Sequence, residues 1–343
     1  MGTQITPLLT SKKIGISELA NKKLAVDAFN TLYQFLSTIR SRDGTQLMDS
    51  HGNTTSHLAG LFSRTTRLMQ EGLKLAFVFD GEPPKLKQKE RERRRGLKEE
   101  AKVKLKEAEA AEDIEAMRKY AARTAVLTPA MVAEAKELVA SLGLPVVQAP
   151  SEGEAQAAFM ARKGIADYIV SQDADSLLFN APAVVKNLAI TQRRKKPGQI
   201  SYDLVEPEII SLEENLKALG ISHDQLICLA LLVGTDYNIG GVKGIGPKKA
   251  LLLVKKHSSN FDSLFKEAEW HNYFDFEWKE AFDLFKNMPV EECKLQWNEP
   301  DEERAVSLLC AKHDFNEERV RATLAKLHRV KENKAQKGLG DFL

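Results

Sequence analysis

The chain alternates short apolar runs with helical segments, and this alternation constrains its fold more than any other feature. Five runs have the length and the β-branched content of buried strands: KKLAVDAF, KLAFVFDG, LPVVQAP, DYIVSQD and AVVKNLAI. Segments with a helical pattern separate them, including AFNTLYQFLSTI, SHLAGLFSRTTRLMQEG and PAMVAEAKELVASLG. Strand–helix alternation of this kind predicts an α/β fold with a central, mostly parallel sheet.

Six acidic residues lie at the ends of these runs or shortly after them, and a seventh follows the later apolar run LLVGTDY. The set is Asp27, Asp80, Glu152, Glu154, Asp173, Asp175 and Asp236. Open α/β sheets bind ligands beyond the carboxyl ends of their strands, so the fold can gather these side chains. Gathered carboxylates repel one another unless cations neutralise them, and oxygen donors suit hard divalent metals. The pattern therefore predicts a site for two divalent metal ions.

The spacing within the pairs fits such a site. Glu152 and Glu154 are two residues apart, and so are Asp173 and Asp175. In a loop or at a helix start, both members of a pair can turn towards one point. SEGEAQAAF predicts a helix start with Ser151 as its N-cap. The alternative for any single acidic residue is a cap or a turn, but that alternative explains all seven together poorly.

Bulk composition excludes several classes of protein. The chain has 343 residues, of which 43% are hydrophobic and 29% charged, enough for one large domain or two smaller ones. Cys228, Cys293 and Cys310 suggest neither a disulfide framework nor a zinc site, which favours a reducing compartment. No apolar stretch approaches the length of a membrane span, so no membrane partner is expected.

Basic charge is concentrated in two places although the net charge is only +2. Residues 85–106 hold eleven Lys and Arg against four Glu. Arg193 and Arg194 open a second basic run, which we expect to form a short loop that contacts DNA. Separation of an acidic site from basic surfaces suits a protein that grips phosphates with one region and cuts or modifies them with another.

Residues 85–125 have strong helix propensity but a thin apolar face. Two interpretations are open: a solvated helical excursion, or a mobile helical arch that closes over a substrate strand. Lys87 and Arg94 share a helical face, from which they can either reach a scissile phosphate or only steer the backbone. Tyr33 either stacks on an unpaired base or is a core aromatic.

The segment GGVKGIGPKKA, residues 240–250, is typical of a helix-hairpin-helix that binds the duplex backbone. Gly244 and Gly246 let the backbone approach a phosphate, and Lys248 or Lys249 adds charge at a helix that begins near Pro247. The spacing is not that of a Walker A loop. An ordinary glycine turn is the alternative.

The chain resembles the flap endonucleases of archaea and eukaryotes essentially from end to end. The motifs that carry the resemblance are VDAFNTLYQFL, GNTTSHLAGLFSR, FVFDGEPPKLK, APSEGEAQAA, SQDADSLLF, LVGTDYNIGGVKGIGPKKA and QKGLGDFL. The resemblance implies a PIN-like fold with a helical arch. It also implies a Mg²⁺-dependent, structure-specific 5′ flap endonuclease, with 5′–3′ exonuclease activity at nicks and gaps, that acts in replication, including Okazaki fragment maturation, and in repair.

The resemblance also implies roles for individual residues. The seven acidic residues would hold two Mg²⁺ ions, for which Mn²⁺ can substitute, and Lys87 and Arg94 would be catalytic. Tyr33 would stack on a base, and the amino group of Gly2 would lie near the active site once Met1 is removed. A K⁺ ion would bind at the helix-hairpin-helix, and the substrate would be branched duplex DNA with a 5′ flap.

The last residues resemble a motif that binds the PCNA-type DNA sliding clamp. Gln336, Leu339 and Phe342 fit the motif, whereas Leu343 replaces its second aromatic residue, so we expect a weaker contact. The segment is expected to be disordered alone and to become ordered on the clamp. No long basic stretch follows it, which favours an archaeal, cytoplasmic protein, and a monomer is expected.

Four regions are expected along the chain. They are an N-terminal nuclease region (1–98), an internal nuclease region (99–215) with the arch at 82–125, a helical region (216–330) with the helix-hairpin-helix at 236–256, and the clamp-binding tail (331–343).

Two rival functions are worth testing. Asp173-Ala-Asp175 after a strand resembles the start of a haloacid-dehalogenase-type phosphatase, but that signature needs Thr where this chain has Leu177. Phosphate release from a small ester would favour the phosphatase. A non-catalytic scaffold for the clamp would bind junctions without cutting them in Mg²⁺.

Overall fold

The computed structural model describes residues 4–41, 44–188, 193–195 and 202–340. For Arg118 and for residues 193–195, 202–204 and 329–340 it describes the backbone alone. The strands are β1 (Lys12–Lys13), β2 (Lys23–Asp27), β3 (Lys74–Phe79), β4 (Val146–Gln148), β5 (Tyr168–Val170), β6 (Ala183–Lys186), β7 (Arg193–Lys195), β8 (Tyr202–Leu204) and β9 (Glu208–Ser211).

Seven of these strands form one sheet in the order β1-β9-β6-β5-β2-β3-β4. The five strands from β6 to β4 run parallel, with Asp27 of β2 opposite Val78 of β3 and Val26 opposite Val170 of β5. β9 is antiparallel to both β6 and β1. The predicted α/β fold with a mostly parallel sheet is confirmed, and its parallel part consists of the five runs identified in the sequence.

Helices follow most of the strands and dominate the C-terminal third. They are α1 (Ala28–Thr38), α2 (Ser56–Gln70), α3 (Gln88–Ala110), α4 (Ile114–Arg123), α5 (Pro129–Ser141), α6 (Gly153–Arg162), α7 (Leu212–Leu219), α8 (His223–Val233), α9 (Pro247–His257), α10 (Phe261–Glu267), α11 (Trp278–Asn287), α12 (Glu302–Val306) and α13 (Glu317–Gly340). The region boundaries expected at 98/99 and 215/216 fall inside α3 and α7.

Each face of the sheet buries a separate apolar core. Leu24 and Val26 of β2 belong to the core that includes residues of α1, α2, α5, α12 and α13. Ala25, which lies between them, belongs to the core that includes α6, α8 and α9. Successive strand residues point to opposite faces, and a parallel sheet is covered on both. The central strands are therefore continuous apolar runs, and their polar side chains lie at the strand ends.

The charged segment between β3 and α5 forms a pair of helices, α3 and α4, which pack against each other. Glu112, in the turn between them, has a left-handed φ of 52°. Asp113 caps α4, because its carboxylate accepts a hydrogen bond from the backbone N–H of Ala116. α4 also contacts α1, so the helical arch stands beside the carboxyl ends of the strands.

α8 and α9 pack together and are joined by a glycine-rich hairpin, which confirms the helix-hairpin-helix. The first helix begins at His223, so the predicted range of 236–256 was too short and left α8 out. Gly241 has a φ of +61°, and a Cβ atom there would lie 2.3 Å from the carbonyl carbon of Val233. The hairpin can therefore fold back on α8 only with glycine at this position.

Two predictions about local secondary structure were wrong. Arg193 and Arg194 do not lie in a loop but on β7, which pairs antiparallel with β8. The segment expected to be disordered from Gln336 onward is helical up to Gly340 as part of α13. Residues 331–337 are rich in Lys, Glu, Ala and Gln, which are good helix formers and let the helix continue.

Within the described ranges, no single helix is long and apolar enough to cross a bilayer. α7 and α8 meet the same criteria of length and composition only as a pair bent by 80°. Cys228, Cys293 and Cys310 are free thiols.

Candidate active site

The strand ends place the acidic residues as the sequence suggested. Asp27 ends β2 and caps α1, where its Oδ1 accepts a hydrogen bond from the backbone N–H of Asn30 at 3.0 Å. Asp80 follows β3, the neighbour of β2 on one side. Asp173 and Asp175 follow β5, the neighbour of β2 on the other side. The chain runs from β2 to β3 and β4 on one side and then crosses to β5 on the other side of β2, and such a change of direction is the usual ligand position in an open α/β sheet.

α6 starts against the end of β3. Asp80 Oδ1 accepts a hydrogen bond from the backbone N–H of Gly153 at 2.7 Å. A Cβ atom at residue 153 would lie 2.6 Å from that same oxygen, so any other residue there would displace the Asp80 carboxylate. Gly153 therefore brings Glu152 and Glu154 to Asp80, and sequence analysis missed it although it separates the two glutamates in SEGEAQ.

Ser151 is not the cap of α6, contrary to the prediction. The N-cap is Glu152, and its side chain makes no capping hydrogen bond. The hydroxyl of Ser151 instead donates to the backbone carbonyl of Glu82 at 2.7 Å, which ties the start of α6 to the loop after β3. The Glu152 carboxylate is thereby left to interact with Lys87.

The electrostatics show that the carboxylates converge. Burial, and then the charges of Asp80 and Asp173, raise the pKa of Asp27 to about 7. Burial, followed by the charges of Asp175, Asp27 and Asp173, raises the pKa of Glu154 well above its ordinary value. Burial also raises the pKa values of Asp80 and Glu152, against the opposing charge of Lys87. Acidic groups from four parts of the chain therefore share one electrostatic site.

Lys87 reaches into this cluster from the segment just before α3. Its Nζ lies 2.5 Å from Glu152 Oε2 and 3.6 Å from Asp236 Oδ2. Burial alone would lower the pKa of Lys87, but the charges of Glu152 and Asp236 outweigh burial and raise it. The Lys87 ammonium is therefore a permanent cation among the carboxylates.

Arg94 reaches the same cluster two turns further along α3. Its Nη2 donates to both carboxylate oxygens of Asp236, at 2.7 and 2.8 Å. Its Nε donates to Glu90 Oε1 at 2.6 Å, and Glu90 is only 3% exposed. The predicted shared face of Lys87 and Arg94 is thus turned towards the acidic residues, so this part of α3 is not a solvated excursion. Glu90 was missed, although its position four residues before Arg94 suggests an ion pair.

Tyr33 lies on α1 beside α3 and is not a core aromatic. Its side chain is 38% exposed, and Lys98 Nζ lies 4.8 Å from the centre of its ring. A cation over the face of the ring keeps an exposed aromatic in place. Tyr33 therefore presents a partly exposed ring on α1, the helix that follows Asp27.

The hairpin residues form a second exposed surface. Gly244 has a φ of +81°, and Gly246 is the N-cap of α9. A Cβ atom at either glycine would meet open space, so no packing against the protein requires glycine there. Lys248 and Lys249 are exposed in the first turn of α9, and Lys249 Nζ lies 3.4 Å from the Gly244 carbonyl oxygen.

Some predicted site residues are described in part or not at all. Gly2, Phe342 and Leu343 lie outside the described residues. Arg193 and Arg194 are on β7 and Gln336 and Leu339 on α13, each with the backbone alone described.

The residues present fit divalent cations, although the carboxylates do not form a ready-made ligand cage. Among the described residues, no group of three or more His, Cys, Asp or Glu side chains is arranged to hold a metal ion. The donors of the cluster are nevertheless all hard oxygens, their burial and then their mutual repulsion raise the pKa values of Asp27 and Glu154, and a lysine ammonium already lies against Glu152. Such a set favours Mg²⁺ or Mn²⁺ over softer metals.

Comparison with known proteins gives consistent matches along the chain. Residues 2–101 match the XPG N-terminal domain and residues 143–236 match the XPG I-region. Flap endonuclease 1 of Pyrococcus abyssi is 52% identical over 96% of this chain and 95% of its own length. The solved structure of flap endonuclease-1 from Methanococcus jannaschii covers 97% of this chain and all of its own, with 41% identity and a TM-score of 0.76.

A more distant structure shares the fold. The catalytic core of Rad2 in complex with DNA substrate is 24% identical, covers 95% of this chain and has a TM-score of 0.68. Together with the Methanococcus jannaschii structure, it confirms the predicted PIN-like fold. Sequence identity over nearly the full length of both chains is high enough for a firm assignment: this chain belongs to the flap endonuclease 1 family and is a structure-specific 5′ nuclease that hydrolyses phosphodiester bonds.

Proposed function

We propose that this nuclease is a Mg²⁺-dependent flap endonuclease that removes 5′ flaps during DNA replication, including Okazaki fragment maturation, and during repair. The same site would act as a 5′–3′ exonuclease at nicks and gaps. One observation carries the proposal: carboxylates from several strand ends converge on one site where Lys87 and Arg94 also meet Glu152 and Asp236. The catalytic core of Rad2, which shares this fold, is bound to DNA substrate, and this supports DNA as the ligand.

The seven acidic residues would hold two Mg²⁺ ions, with Mn²⁺ as a substitute. When bound, such ions supply the charge that activates a water and stabilises the leaving 3′ oxygen. The protein contributes the arrangement of the ligands: α1 orients Asp27, the Gly153 N–H orients Asp80, and Asn30 Nδ2 donates to Asp173 Oδ2 at 2.9 Å. No side-chain nucleophile is required.

Lys87 and Arg94 would stabilise the negative charge that grows on the scissile phosphate. Both carry permanent charges, are half-buried, and already lie among the acidic residues, so they stand where that charge would grow. Tyr33, exposed on α1, would stack on the base next to the cut, and the amino group of Gly2 would lie nearby.

The duplex would be held by the helix-hairpin-helix. Open space at Gly244 and Gly246 lets a phosphate approach the first N–H groups of α9, and Lys248 and Lys249 add charge. The hairpin would hold a K⁺ ion that supplies positive charge to the DNA backbone, and the strand that carries Arg193 and Arg194 would add a second basic contact. Specificity would come from the shape of the junction and not from base sequence.

The C-terminal residues would dock on the DNA sliding clamp while the enzyme acts as a monomer. Gln336, Leu339 and Phe342 would be the anchors, with a weaker contact because Leu343 replaces an aromatic residue. Since α13 is helical up to Gly340, the clamp would meet a segment that is partly ordered before it binds.

Cleavage of a labelled double-flap junction, a nick and a hairpin in Mg²⁺ tests the proposal, with Asp173→Ala and Asp175→Ala as variants. We expect the unchanged enzyme to cut the flap junction best and both variants to lose cleavage. Their junction affinity should stay within about tenfold, or 1.4 kcal/mol, because these carboxylates bind metal and not DNA. Near-normal turnover by either variant would contradict the metal assignment. Release of phosphate from a small ester would instead favour a phosphatase.

A further inference from the structure

Glu90 is a buried carboxylate in the first turn of α3, held between two arginines. Its Oε1 accepts hydrogen bonds from Arg94 Nε at 2.6 Å and from Arg93 Nη2 at 2.7 Å. Its Oε2 accepts from Arg93 Nε at 2.6 Å. With both oxygens engaged and 3% of the residue exposed, the carboxylate has one well-defined orientation.

The Arg94 guanidinium is held at two points by two different acidic groups. Its Nε donates to Glu90, on its own helix, and its Nη2 donates to Asp236, which is 142 residues away in sequence. The guanidinium is planar, so an acceptor at Nε restricts the plane of the whole group. Without Glu90, Asp236 alone would hold the guanidinium, and the group could swing about that contact.

We propose that Glu90 is a positioning residue that orients Arg94 for phosphodiester cleavage. The inference rests on the proposed catalytic role of Arg94. Arg93 supports the arrangement because it holds the second oxygen of Glu90 and so prevents the carboxylate from turning away. Glu90 would act entirely through Arg94, without contacting DNA or metal.

A purely structural role for Glu90 is the alternative. Ion pairs spaced three or four residues apart stabilise helices only weakly, and such a role would not depend on Arg94. The two roles therefore differ in one measurable way: a positioning residue loses its effect on the rate when Arg94 is absent, whereas a structural residue does not.

The test is a double-mutant cycle of Glu90→Ala and Arg94→Ala, with single-turnover rates at saturating flap junction in Mg²⁺ and junction affinity measured separately in Ca²⁺. Glu90→Ala should lower the saturated rate by about tenfold to a hundredfold, the range expected for a misplaced catalytic group. Its affinity should stay within about threefold, and in the Arg94→Ala background it should change the rate less than about twofold. Glu90→Gln keeps an oxygen acceptor for Arg94 Nε and should recover part of the rate.

Glu99→Ala is the matched control, because Glu99 is an exposed acidic residue of α3 paired with Lys102 at 2.9 Å. It should leave both rate and affinity unchanged. An equal loss of rate from Glu90→Ala with and without Arg94 would overturn the positioning role, and so would a loss of affinity with an unchanged saturated rate. If Arg94→Ala slows cleavage but Glu90→Ala does not, only the role of Glu90 is wrong. If Arg94→Ala cuts at the normal rate, Arg94 is not catalytic and Glu90 has no positioning role.

Discussion

The carboxylate cluster should cost the metal-free protein stability, and Asp27 is the residue at which that cost can be measured. Asp27 is 7% exposed, and burial together with its acidic neighbours raises its pKa from 3.8 to about 7. A carboxyl whose folded pKa is raised contributes stability that is complete below the unfolded pKa and is lost as pH rises through the folded pKa. For Asp27 that window runs from about pH 4 to about pH 7. A shift of about three pKa units corresponds to about 4 kcal/mol.

Asp27→Asn removes the charge while keeping the size of the side chain and its hydrogen bond to α1. Asparagine is as good an N-cap as aspartate, so the contact with the Asn30 N–H is retained. In a chelator at pH 8, we expect the free energy of unfolding of the variant to exceed that of the unchanged protein by about 2 to 4 kcal/mol. At about pH 4 most of the gain should be lost, because Asp27 is then protonated in the folded protein and still partly protonated in the unfolded chain, where its pKa is 3.8.

Urea denaturation followed by tryptophan fluorescence measures these free energies, with the midpoints compared at a common slope. Asp113→Asn is the control, since Asp113 also caps a helix but is exposed on the arch. It should change stability little at either pH. Adding Mg²⁺ should stabilise the unchanged protein by about 2.7 kcal/mol at a hundredfold excess over Kd, and the variant by less. If Asp27→Asn is no more stable at pH 8, or equally more stable at pH 4, the inferred repulsion is wrong.

Three further outcomes are expected. Lys87→Ala and Arg94→Ala should each lower the saturated single-turnover rate about a hundredfold, with a much smaller effect on junction affinity. A loss of junction affinity with an unchanged rate would show that these two side chains only steer the DNA. Replacing Lys248 and Lys249 together by Ala should reduce the slope of log affinity against log salt by about one to two. Fluorescence anisotropy measures this slope, and equal weakening at every salt concentration would indicate a folding defect. Deleting residues 336–343 should leave cutting of naked DNA unchanged and abolish stimulation by the sliding clamp; full stimulation of the truncated enzyme would place that contact elsewhere.

The parallel part of the sheet could be predicted from sequence because its central strands are apolar on both faces. β2 and β3 are unbroken apolar runs that end in Asp27 and Asp80, and the structure keeps these ends adjacent. β1 and β9 could not be predicted in the same way. β1 has two residues, both Lys, and β9 has four residues with a mixed pattern, so neither gives an apolar signal. β9 forms a strand because it pairs with the edge of β6 that β5 leaves open, and β1 in turn pairs with β9.

Buried polar contacts between distant residues also escape sequence patterns. His313 is 3% exposed and lies between two carboxylates, with Nδ1 2.9 Å from Asp49 Oδ2 and Nε2 3.1 Å from Glu134 Oε1. His57, fully buried, lies 3.5 Å from the other oxygen of Glu134. This cluster joins the loop before α2 to α5 and to the loop before α13. Nothing in the local sequence around any one of these residues indicates the other three.

The basic segment that carries Lys87, just before α3, and Arg94, on α3, shows how far local periodicity can be trusted. Periodicity placed both side chains on one face, which is correct, but it could not show that the face is turned towards Asp236. That contact gives Asp236 two functions at once: it is a proposed metal ligand and it holds Nη2 of Arg94. A cleavage defect in an Asp236 variant would therefore not assign that residue to metal binding, because Arg94 would lose its partner in the same step. Asp173 is a second probe of the metal site, because its Oδ2 accepts a hydrogen bond from Asn30 Nδ2 on α1 at 2.9 Å.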